Sequence, residues 1–210
     1  EGKPKARATE ARPAPPGRKK KAGKAPGGRP VAQLRNVRVA YGDKAILDEL
    51  NWTIQAGECW ALSGPNGAGK TTLLSLLQGD NPQAYGNDIA MFGKPYGPGH
   101  SIWEVKRRIG SVSPEAHLYF PNDLSVLEVV CTGFFDTLRL FDACGRVRQG
   151  IAREWLACLD LGDRAHARFG DLPVEEQRLA LVARAVVKQV DLLILDEPFS
   201  GLDPVARHDM

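Results

Sequence analysis

Long apolar runs are missing from this 210-residue chain. No stretch approaches the roughly 18 residues that carry a helix across a bilayer, so no direct membrane insertion is expected. The N-terminus is basic but lacks the apolar segment of a signal peptide. Cysteine is sparse: Cys59, Cys131, Cys144 and Cys158 form no CxxC pair. They read as free thiols of a reducing, cytoplasmic compartment, which argues against a disulfide or zinc framework. The four histidines, His100, His117, His166 and His208, stand apart from one another and read as loop or surface residues. The chain begins at Glu1 and ends at Met210, directly after a motif-rich stretch, and reads as a fragment cut at both ends.

Charge of one sign is nearly balanced overall, at a net +3, but not locally. Residues 1–30 hold ten basic and two acidic side chains, and the remainder is acid-rich. Six prolines and five glycines leave residues 1–30 without a periodic apolar face. Such a segment cannot offset its chain entropy by burial and is expected to be disordered. Two roles stand for it: a solvated linker, or an electrostatic tether to nucleic acid centred on Arg18, Lys19, Lys20 and Lys21. No aromatic residue is interleaved there for base stacking, which favours the linker. The chain's hydrophobic content of 43% excludes a wholly disordered protein, and residues 31–210 are enough chain for one buried core.

That body reads as α/β. Val37, Val39 and Tyr41 alternate, as do Leu50, Trp52 and Ile54, and each set predicts a strand. Tyr41, Gly42 and Asp43 predict a turn after the first. Cys59–Ser63 predicts a short buried strand, 70–78 a helix, 86–93 a strand and turn, and 102–109 a short helix. Helical patterns cover 125–138, 146–161 and 174–189, and Leu192–Leu195 predicts a strand buried on both faces. Strands at both ends with a helical insert between them indicate an α/β fold.

Residues 64–71, GPNGAGKT, match G-x-x-x-x-G-K-[ST] between a strand and a helix. Gly64, Gly67 and Gly69 let backbone N–H groups curl around an anion, and the helix beginning near Lys70 turns its positive end toward it. Lys70 would charge-pair with the β and γ phosphates of ATP or GTP, and Thr71 would offer a hydroxyl to Mg²⁺. Residues 192–198, LLILDEP, run an apolar strand into Asp196 and Glu197. Ligands of open parallel sheets bind at the carboxyl ends of strands. Asp196 is therefore a candidate Mg²⁺ contact, and Glu197 a candidate to orient or deprotonate an attacking water.

With SGLDP at 200–204, these motifs resemble the nucleotide-binding domain of ABC ATPases. The resemblance implies a P-loop fold with a mostly parallel core sheet, N-terminal antiparallel strands and a helical insert at about 120–175. It also implies C-terminal truncation. It assigns Tyr41 to adenine stacking, against the alternative of a strand-end core tyrosine. Asn66 and Thr72 join the nucleotide-binding set. Ser200, Gly201, Leu202 and Asp203 match the D-loop, which touches a partner domain. GDNPQAY at 79–85, SIWEVKRRIG at 101–110 and GFFDT at 133–137 resemble soluble tandem ABC ATPases named for molybdenum transport or photorepair. In that reading the chain is the second domain and residues 1–30 the interdomain linker. A second ABC domain, tandem or identical, and a membrane subunit are the implied partners, with ATP and Mg²⁺ as cofactors.

Three departures stand out. Residues Leu172, Pro173, Val174, Glu175, Glu176 and Gln177 occupy the place of the family's LSGGQ signature. Pro173 has neither hydroxyl nor N–H. Acids near a helix N-terminus favour the helix but not an anion: a carboxylate ~4 Å from a phosphate charge costs about 1 kcal/mol in water and about 4 at intermediate dielectric. If Glu175 and Glu176 turn outward, backbone N–H groups can still serve. Pro114 stands where the family usually has Gln; either Glu115 substitutes as a water or Mg²⁺ contact, or that role is unoccupied. The family's switch His lies further along than His208.

Overall fold

The computed structural model describes residues 7–10, 28–99 and 101–198. They fall into two compact units divided after Lys106. The α/β class holds, with antiparallel ladders in the first unit and a parallel pair in the second.

The first unit is built on a long hairpin of Pro30–Tyr41 (β2) and Lys44–Gln55 (β3). Gly42, at φ 57°, opens its two-residue loop, a conformation that suits the twist of a hairpin. Val37 faces Leu50 and Val39 faces Leu47, so the alternation read from sequence buries one side of the sheet. Asp88–Met91 (β5) pairs with β2, and Lys94–Pro95 (β6) with β5, giving the order β3-β2-β5-β6. The strand Trp60–Ser63 (β4) packs its first residue edge-on against Trp52 of β3, ring centroids 5.5 Å apart. Its entry turn is tied by Glu58, which accepts from Gln55 N and Trp60 Nε1. These two bonds hold the Glu58 carboxyl below the usual range. The helix Lys70–Gln78 (α1) follows, burying Leu73, Leu76 and Leu77. A 3-10 turn at Pro82–Gly86 leads to β5, and the helix Ile102–Lys106 (α2) closes the unit.

One ladder differs from the sequence expectation. Arg7–Glu10 (β1), within the segment expected to be disordered, runs antiparallel to β4 with Arg7 opposite Ser63. The physical reason lies in β4, whose edge offers N–H and C=O groups that any extended segment can satisfy. β4 itself alternates half-buried and exposed residues rather than being buried throughout.

In the second unit, Ile109–Val112 (β7) and Leu192–Leu195 (β8) pair in parallel. Ile194 is buried, but Leu193 and Leu195 are exposed, so the expected two-sided burial of β8 is corrected: among the described residues it pairs with β7 alone. Three helices complete the unit: Val126–Thr132 (α3), Arg146–Cys158 (α4) and Val174–Val186 (α5). Phe169, Val126, Val129, Val130 and Leu156 centre its core. A reciprocal capping box of Ser125 and Glu128 starts α3. α3 ends short of the predicted 138, and just after it Gly133 crosses α5 so closely that a Cβ would lie 2.2 Å from the Arg184 carbonyl oxygen. Arg184 donates to Thr132 Oγ1 and the Thr137 carbonyl and lies over the Phe120 ring. Burial lowers its pKa. Gly110 serves β7 likewise, against Ala185. Among the described residues no helix is long and apolar enough to cross a membrane.

Candidate functional site

The phosphate loop joins β4 to α1, as the motif predicts. Helix α1 starts at Lys70 behind Gly69, with no side-chain cap and no acid in its first turn. The first N–H groups of a helix have no partner within it, so this end is open to an anion. Gly69 (φ 93°) and Gly67 (φ 77°) are left-handed. Gly69 is also crowded: a Cβ there would meet Ile46 Cγ2 at 3.0 Å and Leu47 Cδ2 at 3.1 Å. The loop is thereby seated on the hairpin that carries Tyr41. Lys70 Nζ donates to the carbonyls of Gly64 at 2.9 Å and Pro65 at 3.2 Å, holding the ammonium over the loop. Asn66 and Thr71 are exposed, and Thr72 is half-buried.

Tyr41 ends β2 and is 55% exposed. Its hydroxyl accepts from Asn81 Nδ2 at 3.0 Å. Asn81 was not a site candidate from sequence. The only local signal is its place before Pro82, a turn-forming pair that says nothing of a partner forty residues away.

In the second unit, Asp196 extends the parallel ladder, its N–H donating to the Val112 carbonyl at 2.9 Å. Glu197 follows at φ 43°, an uncommon conformation for a side-chain-bearing residue that costs of order 1 kcal/mol or more. Residues 172–177, expected at the signature position, form the start of α5, with Pro173 in the N-cap position. Gln177 folds back to donate to the Leu172 carbonyl at 2.9 Å. The two acids differ. Glu176 lies 3.3 Å from Arg164 Nε, whereas Glu175 makes no ion pair among the described residues. Near Pro114, His117 donates from Nδ1 to the Pro114 carbonyl at 2.9 Å, and Glu115 is exposed. His166 accepts from Arg153 at 3.2 Å. Ser200, Gly201, Leu202, Asp203 and His208 lie outside the described residues, as does His100.

A family model described as ABC transporter matches residues 47–200. The chain belongs to this family. It is an ATP-binding domain of the ABC ATPase class. It is 45% identical to the ABC transporter ATP-binding protein ModF of Escherichia coli (strain K12), over 87% of this chain and 37% of that protein. It is 36% identical to an uncharacterized ABC transporter ATP-binding protein of Schizosaccharomyces pombe, over 86% of this chain and 37% of that one. The Nod factor export ATP-binding protein I of Burkholderia lata is 38% identical, over 86% of this chain and 57% of the relative. The chain thus spans well under half the length of the first two. Among solved structures, cbiO1 of Clostridium perfringens, part of the ABC transporter complex cbiONQ, superposes with a TM-score of 0.71 at 21% identity. That match covers 86% of this chain and 70% of cbiO1 and shows the ABC fold.

Proposed function

We propose that this ABC domain binds Mg²⁺-ATP as one half of an ATP-dependent dimer with a second ABC domain, and that alone it turns ATP over slowly. The observation that carries the reading is the start of α1: an uncapped helix end behind a crowded left-handed Gly69, with Lys70 poised over the loop. In this reading Gly64, Asn66, Gly67, Gly69, Lys70, Thr71 and Thr72 receive the phosphates, and Tyr41 carries the adenine. Thr71 and Asp196 are the protein contacts of Mg²⁺. Among the described residues no cluster of three or more His, Cys, Asp or Glu forms a metal site. A cation held by few protein groups, with waters and phosphate oxygens completing its shell, suits magnesium. Bound Mg²⁺ supplies charge neutralisation on the phosphates. Glu197 orients or deprotonates the water, and Lys70 stabilises charge on the transferred group.

The signature of one domain completes the nucleotide site of its partner in this family. Pro173, Val174 and Glu175 make this chain a poor donor of that clamp, so a pair formed with it has one weakened site. Ser200–Asp203 would meet the partner as the D-loop. The chain spans 37% of the ModF relative, which leaves room for a further domain, and the basic segment between β1 and β2 is read as part of a linker to it. A membrane subunit on the cytoplasmic side is the further partner, supported by the transporter names of the relatives.

The test is titration with a fluorescent ATP analogue alongside phosphate release. Lys70→Ala is expected to weaken binding at least about tenfold without lowering the melting temperature. Unchanged affinity would sink the loop assignment. Restoring Ser-Gly-Gly at 173–175 is expected to raise turnover. If binding stays intact and turnover stays flat, the domain is a regulatory nucleotide-binding module instead. A robust rate in the unaltered chain, lost on Glu197→Gln, contradicts the slow-turnover reading.

A further inference from the structure

Asn81 is 5% exposed, one of three buried polar or charged side chains among the described residues, and both ends of its amide are engaged. Its backbone follows the phosphate-binding helix: Gly79 terminates α1 in the left-handed conformation, and the N–H groups of Asp80 and Asn81 both donate to the Ser75 carbonyl, at 2.9 and 3.2 Å. Its side-chain oxygen accepts from Gln83 N at 2.9 Å. That bond fixes which way the amide points, leaving the NH₂ toward Tyr41. The NH₂ donates to the Tyr41 hydroxyl at 3.0 Å.

Two more amides act on the same strand. Gln83 donates to the Ala40 carbonyl at 3.0 Å and accepts from the Ala40 N–H at 3.3 Å. Asn87 does the same for Arg38, at 2.9 and 2.8 Å. At alternate positions, side-chain amides thus stand in for a neighbouring strand along the last turn-ward stretch of β2. The backbone before Tyr41 and the tip of its ring are both held, while the ring remains half-exposed.

We propose that Asn81 is a positioning residue: it pins the Tyr41 hydroxyl so that the ring stands as a fixed platform for the purine of the nucleotide whose phosphates α1 receives. This rests on the reading of Tyr41 as the adenine contact. A tyrosine side chain has two torsions to freeze, and holding both before binding removes that ordering cost from the association. The pin springs from the far end of α1, so base platform and phosphate site are joined through one rigid element.

The experiment uses the whole chain with two probes, ATP and base-free inorganic tripolyphosphate. Asn81→Ala and Tyr41→Phe are each expected to weaken ATP binding about threefold to tenfold, the worth of one hydrogen bond, and to leave tripolyphosphate affinity unchanged. The double variant is expected to match either single one. Asn81→Asp keeps the acceptor for Gln83 N and can accept a hydrogen bond donated by the Tyr41 hydroxyl, so it is expected to retain most of the ATP affinity. Equal losses for ATP and tripolyphosphate in Asn81→Ala would show a merely structural role and overturn the proposal, as would additive effects in the double variant. Tyr41→Ala separates the two levels. If it weakens ATP binding while Tyr41→Phe and Asn81→Ala do not, stacking stands and positioning fails. If it leaves ATP binding unchanged, the adenine reading fails and positioning with it. Tyr41→Phe changes a half-exposed residue conservatively, so it stays informative if Asn81→Ala melts early.

Discussion

Arg164 holds Glu176 at 3.3 Å, so the two acids that open α5 are not equivalent. Glu176 is drawn sideways onto a cation of its own unit, while Glu175 keeps its charge at the helix start. In the partly exposed pair the attraction is worth about 0.2–1 kcal/mol. Glu175→Gln is therefore expected to strengthen ATP-dependent dimerisation, measured by sedimentation or light scattering, more than Glu176→Gln does. Arg164→Ala is expected to weaken dimerisation by freeing the second charge. Equal effects of the two glutamine variants would show that both acids face the nucleotide.

Gly69 and Gly67 are both left-handed, but only Gly69 is crowded. Gly67→Ala meets nothing within 4 Å and carries the conformational penalty alone, about 1–2 kcal/mol. Gly69→Ala adds overpacking against Ile46 and Leu47, for a total of about 2–4 kcal/mol. Urea unfolding midpoints rank the two, and a Gly67 variant as unstable as the Gly69 one would refute the crowding argument.

Glu197 bears its side chain in a conformation that glycine tolerates better. Glu197→Gly is expected to abolish turnover while raising stability by up to about 1 kcal/mol, the relief of strain less the entropy glycine adds to the unfolded chain. Glu197→Gln is expected to abolish turnover with the melting temperature unchanged. Calorimetry of the pair checks this, and a lower melting temperature for the glycine variant would contradict strain at this position.

Cys131 and Cys144 are buried, and Cys59 and Cys158 are exposed. Burial and the neighbouring Cys144 thiol push the Cys131 thiol up, which leaves less of the reactive thiolate at neutral pH. A thiol reagent is expected to titrate two groups quickly in the native chain and four in denaturant. Rapid labelling of Cys131 in the native chain would contradict its burial beside Cys144.

What the sequence makes legible is what lies contiguous along it. The phosphate loop needs glycines, a lysine and a helix start in one stretch, and α1 begins and ends at the predicted residues. The departure of residues 172–177 from the family pattern is visible for the same reason. Contacts between distant residues leave no such trace: the amide of Asn81 on Tyr41, and Arg164 on Glu176, depend on how turns fold back. β7 hides because four residues with Gly110 among them give too little period, and only the approach of α5 explains the glycine. The exposed faces of β4 and β8 depend on which neighbours each strand has, which no local pattern records.

Asn66 stands exposed in the loop, followed by Gly67. The missing side chain on the glycine leaves its N–H free to attack the asparagine amide, lose ammonia and, after water addition, leave an aspartate or isoaspartate. That slow ageing would place a negative charge inside the cradle proposed for phosphate, or add a methylene to its backbone. The nucleotide affinity of a preparation is then also a clock of its storage, and the chemistry of spoilage falls on the very glycine-rich turn that makes the site.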